Sequence, residues 1–209
     1  TIGGVLSVVV PDDTLPSNVQ MDTSLFPSKG RTEEDDVREI DTNFNDIDRI
    51  EDENIYTCDR VIPCRMLSEL FAEADEIVLC TVTLKGYDEL EAEETDSLKA
   101  LFLDGWGTAV VEKGHVWLKE RIRGRYAAEG LKTTNSWSPG QHNVDIRLQR
   151  DLFGMLKPED IGVTLTESLM MHPKKSVSSF TGAGASDGME DIRACDFCAH
   201  RETCPSAYV

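Results

Sequence analysis

The 209-residue chain sets 39 acidic side chains against 21 basic ones, a formal charge of -18, and 40% of its residues are hydrophobic. That acidic excess excludes binding to nucleic acid phosphates or anionic lipid surfaces, which both need a positive counter-surface. The apolar share suffices for one domain with a substantial core, with or without an appendage.

No segment approaches the roughly 18 apolar residues of a membrane helix. Thr1–Leu6 lacks the basic start and cleavage site of a secretory signal, so the expected compartment is cytoplasmic. Three of the six cysteines crowd into residues 195–204. Without a small secreted framework, that crowding points to metal or redox chemistry rather than disulfides.

Residues 1–53 are expected to form an acidic N-terminal extension, partly packed on the core. Leu6 to Val10 reads as a short strand, and Arg31 to Glu53 as solvated loop or helix surface. Residues 54–182 carry the regular pattern. Met66, Leu67, Leu70 and Phe71 share one helical face, and Ile77–Leu84 is a β-branched run closed by Lys85-Gly86, the mark of a buried strand.

Asp96 to Tyr126 is the strongest helical signal. Leu98, Leu101, Phe102, Ala109, Val110, Val116, Trp117 and Ile122 recur at three- and four-residue steps, interrupted by Gly105, Gly107 and Gly114. Each glycine costs about 1 kcal/mol in a helix interior, so close approach of a neighbouring element or a kink is expected. Thr133–Asn143 reads as a loop around Ser136-Trp137-Ser138-Pro139-Gly140-Gln141. A second amphipathic helix with Leu148, Leu152, Phe153 and Leu156 ends at Lys157-Pro158. Strands at Ile161–Thr166 and Ser176–Phe180 flank the loop Glu167–Lys175. The class is α+β, because strands and helices alternate without a βαβ period.

Several local patterns occur in order. They are Thr83-Leu84-Lys85-Gly86, Asp104-Gly105-Trp106-Gly107-Thr108, Lys119-Glu120-Arg121-Ile122-Arg123, Ser138-Pro139-Gly140, Ile161-Gly162-Val163-Thr164-Leu165-Thr166-Glu167-Ser168 and Pro173-Lys174-Lys175-Ser176-Val177-Ser178. The series resembles the activation (reactivation) domain of vitamin B12-dependent methionine synthase and its stand-alone relatives. The resemblance implies a twisted antiparallel sheet with flanking helices. It also implies an accessory role toward a cobalamin (corrinoid)-dependent methyltransferase, in which S-adenosylmethionine supports reductive reactivation of a corrinoid carried by a partner protein. The electron would come from a donor such as a ferredoxin or flavodoxin.

By the same resemblance Glu120 contacts S-adenosylmethionine, and Ser136, Ser138, Pro139, Gly140, Gln141, Glu167, Ser176 and Ser178 line the cofactor cleft. Two positions depart from the family pattern. Ser136 stands where the family has the arginine that holds the methionine carboxylate, and Gln141 where it has a tyrosine. Losing a bidentate guanidinium removes the charge-assisted part of that grip, and Lys132 is a nearby cation that could stand in. A non-catalytic corrinoid-protein docking adapter therefore remains open as an alternative.

Residues 183–209 form a cysteine-rich tail that the methionine synthase domain lacks. Cys195, Cys198 and Cys204 are spaced C-x₂-C-x₅-C, with Pro205 following. Such spacing can clamp one metal, either zinc or an iron–sulfur cluster, with His200, Cys58 or Cys64 as a fourth ligand. An iron–sulfur electron carrier is the corresponding second alternative. Cys80 reads as core, and His115, His142 and His172 have no partner at metal-ligand spacing.

Overall fold

The computed structural model describes residues 4–9, 37–57, 60–141, 143–186, 189, 195 and 201–205. Its centre is a five-stranded antiparallel sheet. The strands are β1 (Gly4–Val9), β2 (Val37–Asp46), β6 (Glu76–Leu84), β10 (Ser176–Gly184) and β7 (Lys132–Thr133), in the order β1-β2-β6-β10-β7. Strands β3 (Arg49–Glu51), β4 (Asn54–Thr57) and β5 (Arg60–Pro63) make a second small sheet. Strands β8 (Thr164–Leu165) and β9 (Met171–His172) make a short hairpin.

The β-branched run is strand β6 because both of its faces are covered, which is why its apolar residues are continuous. Ile77 and Leu79 point to one side, into a core shared with helix α1 (Arg65–Leu70), helix α4 (Leu148–Leu156), Trp137 and Phe180. Val78, Cys80 and Val82 point to the other, against Val111, Leu118, Ile122 and Tyr126 of helix α3 (Ser97–Ala128). The short helix α2 (Tyr87–Glu93) leads from β6 into α3, where Asp96 caps the helix by accepting from the backbone N–H groups of Leu98 and Lys99.

Three expectations change. Within the acidic run, residues 37–46 are a strand paired along its length with β6, not loop or helix surface. Ile40, Thr42 and Phe44 alternate there with Glu39, Asp41 and Asn43, the period of a strand. In the run Ile161–Thr166 only Thr164 and Leu165 form a strand, β8, and Ile161 closes a 3-10 turn (Pro158–Ile161) entered through Lys157 in the left-handed region. The third change concerns α3. The helix forms where the periodicity placed it, but Leu98, Leu101, Phe102 and Ala109 face solvent. The buried face carries Leu103, Gly107, Val110, Val111, Gly114, His115, Leu118, Ile122 and Tyr126. Glycines and a histidine occupy the inner stripe, so the apolar pattern pointed outward at the helix start.

Each of these inner residues has a local reason. A Cβ on Gly107 would lie 2.5 Å from the Tyr87 ring, so only glycine lets α2 close on α3 there. Gly105 meets nothing within 4 Å, and the close-approach reading does not apply to it. His115 Nε2 lies 3.0 Å from Ser179 Oγ, which in turn lies 3.0 Å from Cys80 Sγ. Burial holds the His115 imidazole down at about 4, with the Lys119 charge adding to the effect. Cys80 is core, as its place in the strand suggested.

Candidate functional site

The site is built on the α3 side of β10 and on the segment that returns along its outer edge. Beyond β7, Trp137 pairs with Phe180 through two backbone hydrogen bonds of 2.8 and 2.9 Å. Strand alternation sends the Trp137 ring into the core, 2% exposed, and turns Ser136 and Ser138 the opposite way. The chain then reverses over Pro139-Gly140. Gly140 sits at φ +85°, a left-handed conformation that favours glycine, and its N–H donates to the Val144 carbonyl. Ile146 closes on it from below.

Past Phe180 the outer edge of β10 has no strand partner among the described residues. The alternation that pairs Phe180 with Trp137 turns the N–H and C=O of Ser178 and Ser176 toward that open edge. A first pocket of about 210 Å³ lies there. From α3 come Thr108, Val111 and Glu112; from the returning loop Ser138, Pro139 and Gln141; from β10 and the segment before it Lys174 to Ser178; Gln149 and Met171 complete it.

Its polar groups are mostly bonded to one another. Ser178 Oγ donates to Gln149 Oε1 (2.9 Å), and Ser176 Oγ donates to the Pro173 carbonyl (2.7 Å). The Lys175 ammonium, 11% exposed, donates to Asp104 Oδ1 (2.7 Å) and Thr108 Oγ1 (2.8 Å), 5.1 Å from the centre of the Tyr87 ring. The hydrogen bond and charge of Lys175 hold the Asp104 carboxyl below its usual range. Burial, with Glu91 and Asp104 nearby, pushes the Tyr87 phenol up to about 12. Lys174 pairs with Glu91.

A second pocket of about 170 Å³ follows on the same flank of α3, a little over one turn further on. Val116, Lys119, Glu120, Ile122 and Arg123 face Thr133, Thr134, Asn135, Ser136 and Thr181 across it. Ser136 Oγ is 2.8 Å from Thr181 Oγ1. Lys119, Glu120 and Arg123 make no hydrogen bond or ion pair among the described residues. Two cations and a carboxylate are therefore left to meet a ligand.

The residues singled out from sequence divide between the two pockets. Ser138, Pro139, Gln141, Ser176 and Ser178 line the first, and Gly140 shapes its turn. Glu120 and Ser136 line the second. Glu167 is exposed on the turn of the β8–β9 hairpin and lines neither; Met171 of β9 is the hairpin residue that reaches the first pocket. His172 pairs with Asp88 (3.1 Å), and His142 lies outside the described residues.

Lys175, Thr108, Gln149 and Arg123 were not singled out as site residues. Lys175, Arg123 and Thr108 stand inside quoted motifs, whereas Gln149 reaches the first pocket only through the packing of α4 against β10. Lys132, considered as a substitute cation, lines neither pocket.

In the tail, Cys195 and Cys204 are free thiols, while Cys198 and His200 lie outside the described residues, as does Cys58. Cys64 is buried at the start of α1. Desolvation pushes its thiol up, away from the thiolate a metal needs. No cluster of three or more metal-ligating side chains occurs among the described residues. Likewise, no helix among them is long and apolar enough to cross a membrane.

This α+β fold, with its groove between a long helix and a sheet edge, is that of a reactivation domain. The chain belongs to the family described as vitamin B12 dependent methionine synthase, activation domain, whose model matches residues 81–187 and so spans both pockets. Among solved structures, a crystal structure of the MetH reactivation domain bound to AdoHcy is similar in fold. The match has a TM-score of 0.60 at 17% identity and covers 77% of this chain. The chain spans 61% of that relative's length. No curated protein matches the sequence.

Proposed function

We propose that the chain is an accessory protein for a corrinoid-dependent methyltransferase, binding S-adenosylmethionine in the groove along α3 and presenting its methyl group to a corrinoid held by a partner protein. The observation that carries this reading is the chemistry of the second pocket: a carboxylate and two cations, none paired among the described residues, facing a row of hydroxyls. An α-amino acid end needs a cation for its carboxylate and an anion for its ammonium. Arg123 and Lys119 supply the first and Glu120 the second, which offsets the serine at position 136. The relative of similar fold has AdoHcy bound, which supports the same ligand class.

The first pocket suits a neutral, flat group. Its apolar walls are Val111, Pro139, Met171 and Val177, and its rim carries hydroxyls, amides and the open strand edge. In this reading the adenosine lies there, against Ser138, Gln141, Ser176 and Ser178. When bound, S-adenosylmethionine supplies an electrophilic methyl group. The protein's residues orient it and keep the sulfonium near the carboxylates Glu112 and Glu120.

The tail extends the proposal. Cys195, Cys198 and Cys204 hold a metal, as an iron–sulfur cluster or as zinc, and an electron donor such as a ferredoxin or flavodoxin completes the reductive step. The support is the cysteine spacing. Anaerobic protein with a cluster absorbs near ~400 nm, and zinc leaves it colourless.

Calorimetric titration with S-adenosylmethionine tests the central claim. Micromolar binding that weakens at least about tenfold in Glu120→Gln and in Arg123→Gln supports it. A folded protein with no heat of binding leaves the docking adapter as the function.

A further inference from the structure

Helix α3 begins with a surface that does nothing for the fold. Leu98, Leu101 and Phe102 are 63%, 68% and 67% exposed, three of the five large apolar side chains exposed among the described residues. Their i, i+3, i+4 spacing gathers them on one side of the first two turns, and Gly105 extends that side with open space above it. The opposite side is fixed by Leu103 and Val110 packed with Leu84 and Tyr87, and the Asp96 cap holds the first turn. The apolar side chains therefore stand on a rigid platform.

The surroundings say what covers them. Residues 88–96 bring six carboxylates (Asp88, Glu89, Glu91, Glu93, Glu94 and Asp96) and no basic residue to the approach of this patch. Asp88 and Glu91 are engaged with His172 and Lys174, and Glu94 and Asp96 hold the helix start. Glu89 and Glu93 have no such partner among the described residues. A second copy of a chain with net charge -18 would meet the same carboxylates, so self-association is disfavoured. The complementary surface has apolar anchors ringed by lysine or arginine.

From the docking surface of the first two turns, the same flank runs through Thr108 and Glu112 into the first pocket. We infer that Leu98, Leu101 and Phe102, with the α2 carboxylates, are the docking surface for the corrinoid-carrying protein, engaging a basic-rimmed apolar patch on it. This rests on the proposed function and adds the surface and the chemistry of the partner's matching face.

The test uses the full chain and a recombinant corrinoid-carrying module of methionine synthase loaded with hydroxocobalamin, with affinity measured by calorimetry at low and high salt. Leu101→Glu/Phe102→Glu should weaken binding at least about 100-fold. Glu89→Lys/Glu93→Lys should weaken it about tenfold at low salt and flatten the salt dependence. Melting temperature and S-adenosylmethionine affinity should hold in both, since all four side chains lie outside the pockets.

A wild type that binds the module, with a Leu101→Glu/Phe102→Glu variant that binds it equally well, overturns the docking surface and leaves the proposed function standing. A wild-type dimer in sedimentation, dissolved by the same variant, also overturns it, because a second copy then covers the patch. Failure of the wild type to bind either the module or S-adenosylmethionine overturns the proposed function and the docking surface together.

Discussion

The two pockets along α3 use the same kinds of residue in opposite ways. In the first, hydroxyls, amides and both lysines are bonded internally: Ser178 to Gln149, Ser176 to Pro173, Lys175 to Asp104 and Thr108, Lys174 to Glu91. Such a site is preorganised and selects by shape and by the open strand edge. In the second, Lys119, Glu120 and Arg123 form no ion pair among the described residues, and under the proposed function selection there is by charge. Satisfied polar groups hold a fold together. Unsatisfied ones at a surface are available for a ligand.

The largest effect should come from Trp137, which lines neither pocket but anchors the segment whose Ser136 lines one and Ser138 the other. Trp137→Ala removes a fully packed ring between Ser136 and Ser138 and should cost about 4 kcal/mol in urea unfolding. It should weaken ligand binding at both pockets at once; loss confined to one would break the idea of a common support beneath Ser136 and Ser138.

Next is His115, on the buried face of α3 near both pockets. Its folded pKa of about 4 lies below the ordinary 6.5, so the unfolded chain binds the proton more readily. Its contribution is complete above pH 6.5 and falls away as pH drops toward 4. That loss is on the order of 3 kcal/mol. His115→Gln should flatten the wild-type difference in unfolding free energy between neutral and acidic pH. An unchanged difference would mean the imidazole reaches solvent.

Smaller effects sharpen the contrast between the pockets. Lys175→Met should cost about 1 kcal/mol, because Asp104 stays half-exposed and finds water when its partner goes. It should also let the Asp104 carboxyl rise toward its ordinary range, as read by NMR titration. Gly105→Ala should raise stability by up to about 1 kcal/mol in thermal melts, since the position is helical and open. Arg123→Gln should change stability by less than about 0.5 kcal/mol while reducing S-adenosylmethionine affinity. A large stability loss there would show the guanidinium to be structural.

Strand β6, helix α4 and the existence of α3 were legible because burial on both faces, or on one stripe, imposes a period on the residues. The inner face of α3 was not legible. Its stripe contains Gly107, which admits Tyr87, and His115, which is satisfied by Ser179, so a hydrophobicity pattern assigned the outward Leu98, Leu101 and Phe102 to the core. The motifs were legible as a set, and of the residues singled out as cleft-lining all but Gly140 and Glu167 line one of the two pockets. Glu167 lines neither pocket, because a strand end read from sequence carries no information about which residues of its hairpin reach the groove.

From the sequence alone came the α+β class and the loop around Pro139-Gly140, consequences of local pattern, and the ordered motifs, whose family resemblance implies the departures at Ser136 and Gln141. Only the tertiary structure decided that residues 37–46 pair with β6, that Thr108 and Gln149 line one pocket, and that Arg123 and Ser136 line the other. Those juxtapositions join residues far apart in the chain, and local periodicity cannot encode which distant partner a side chain will meet.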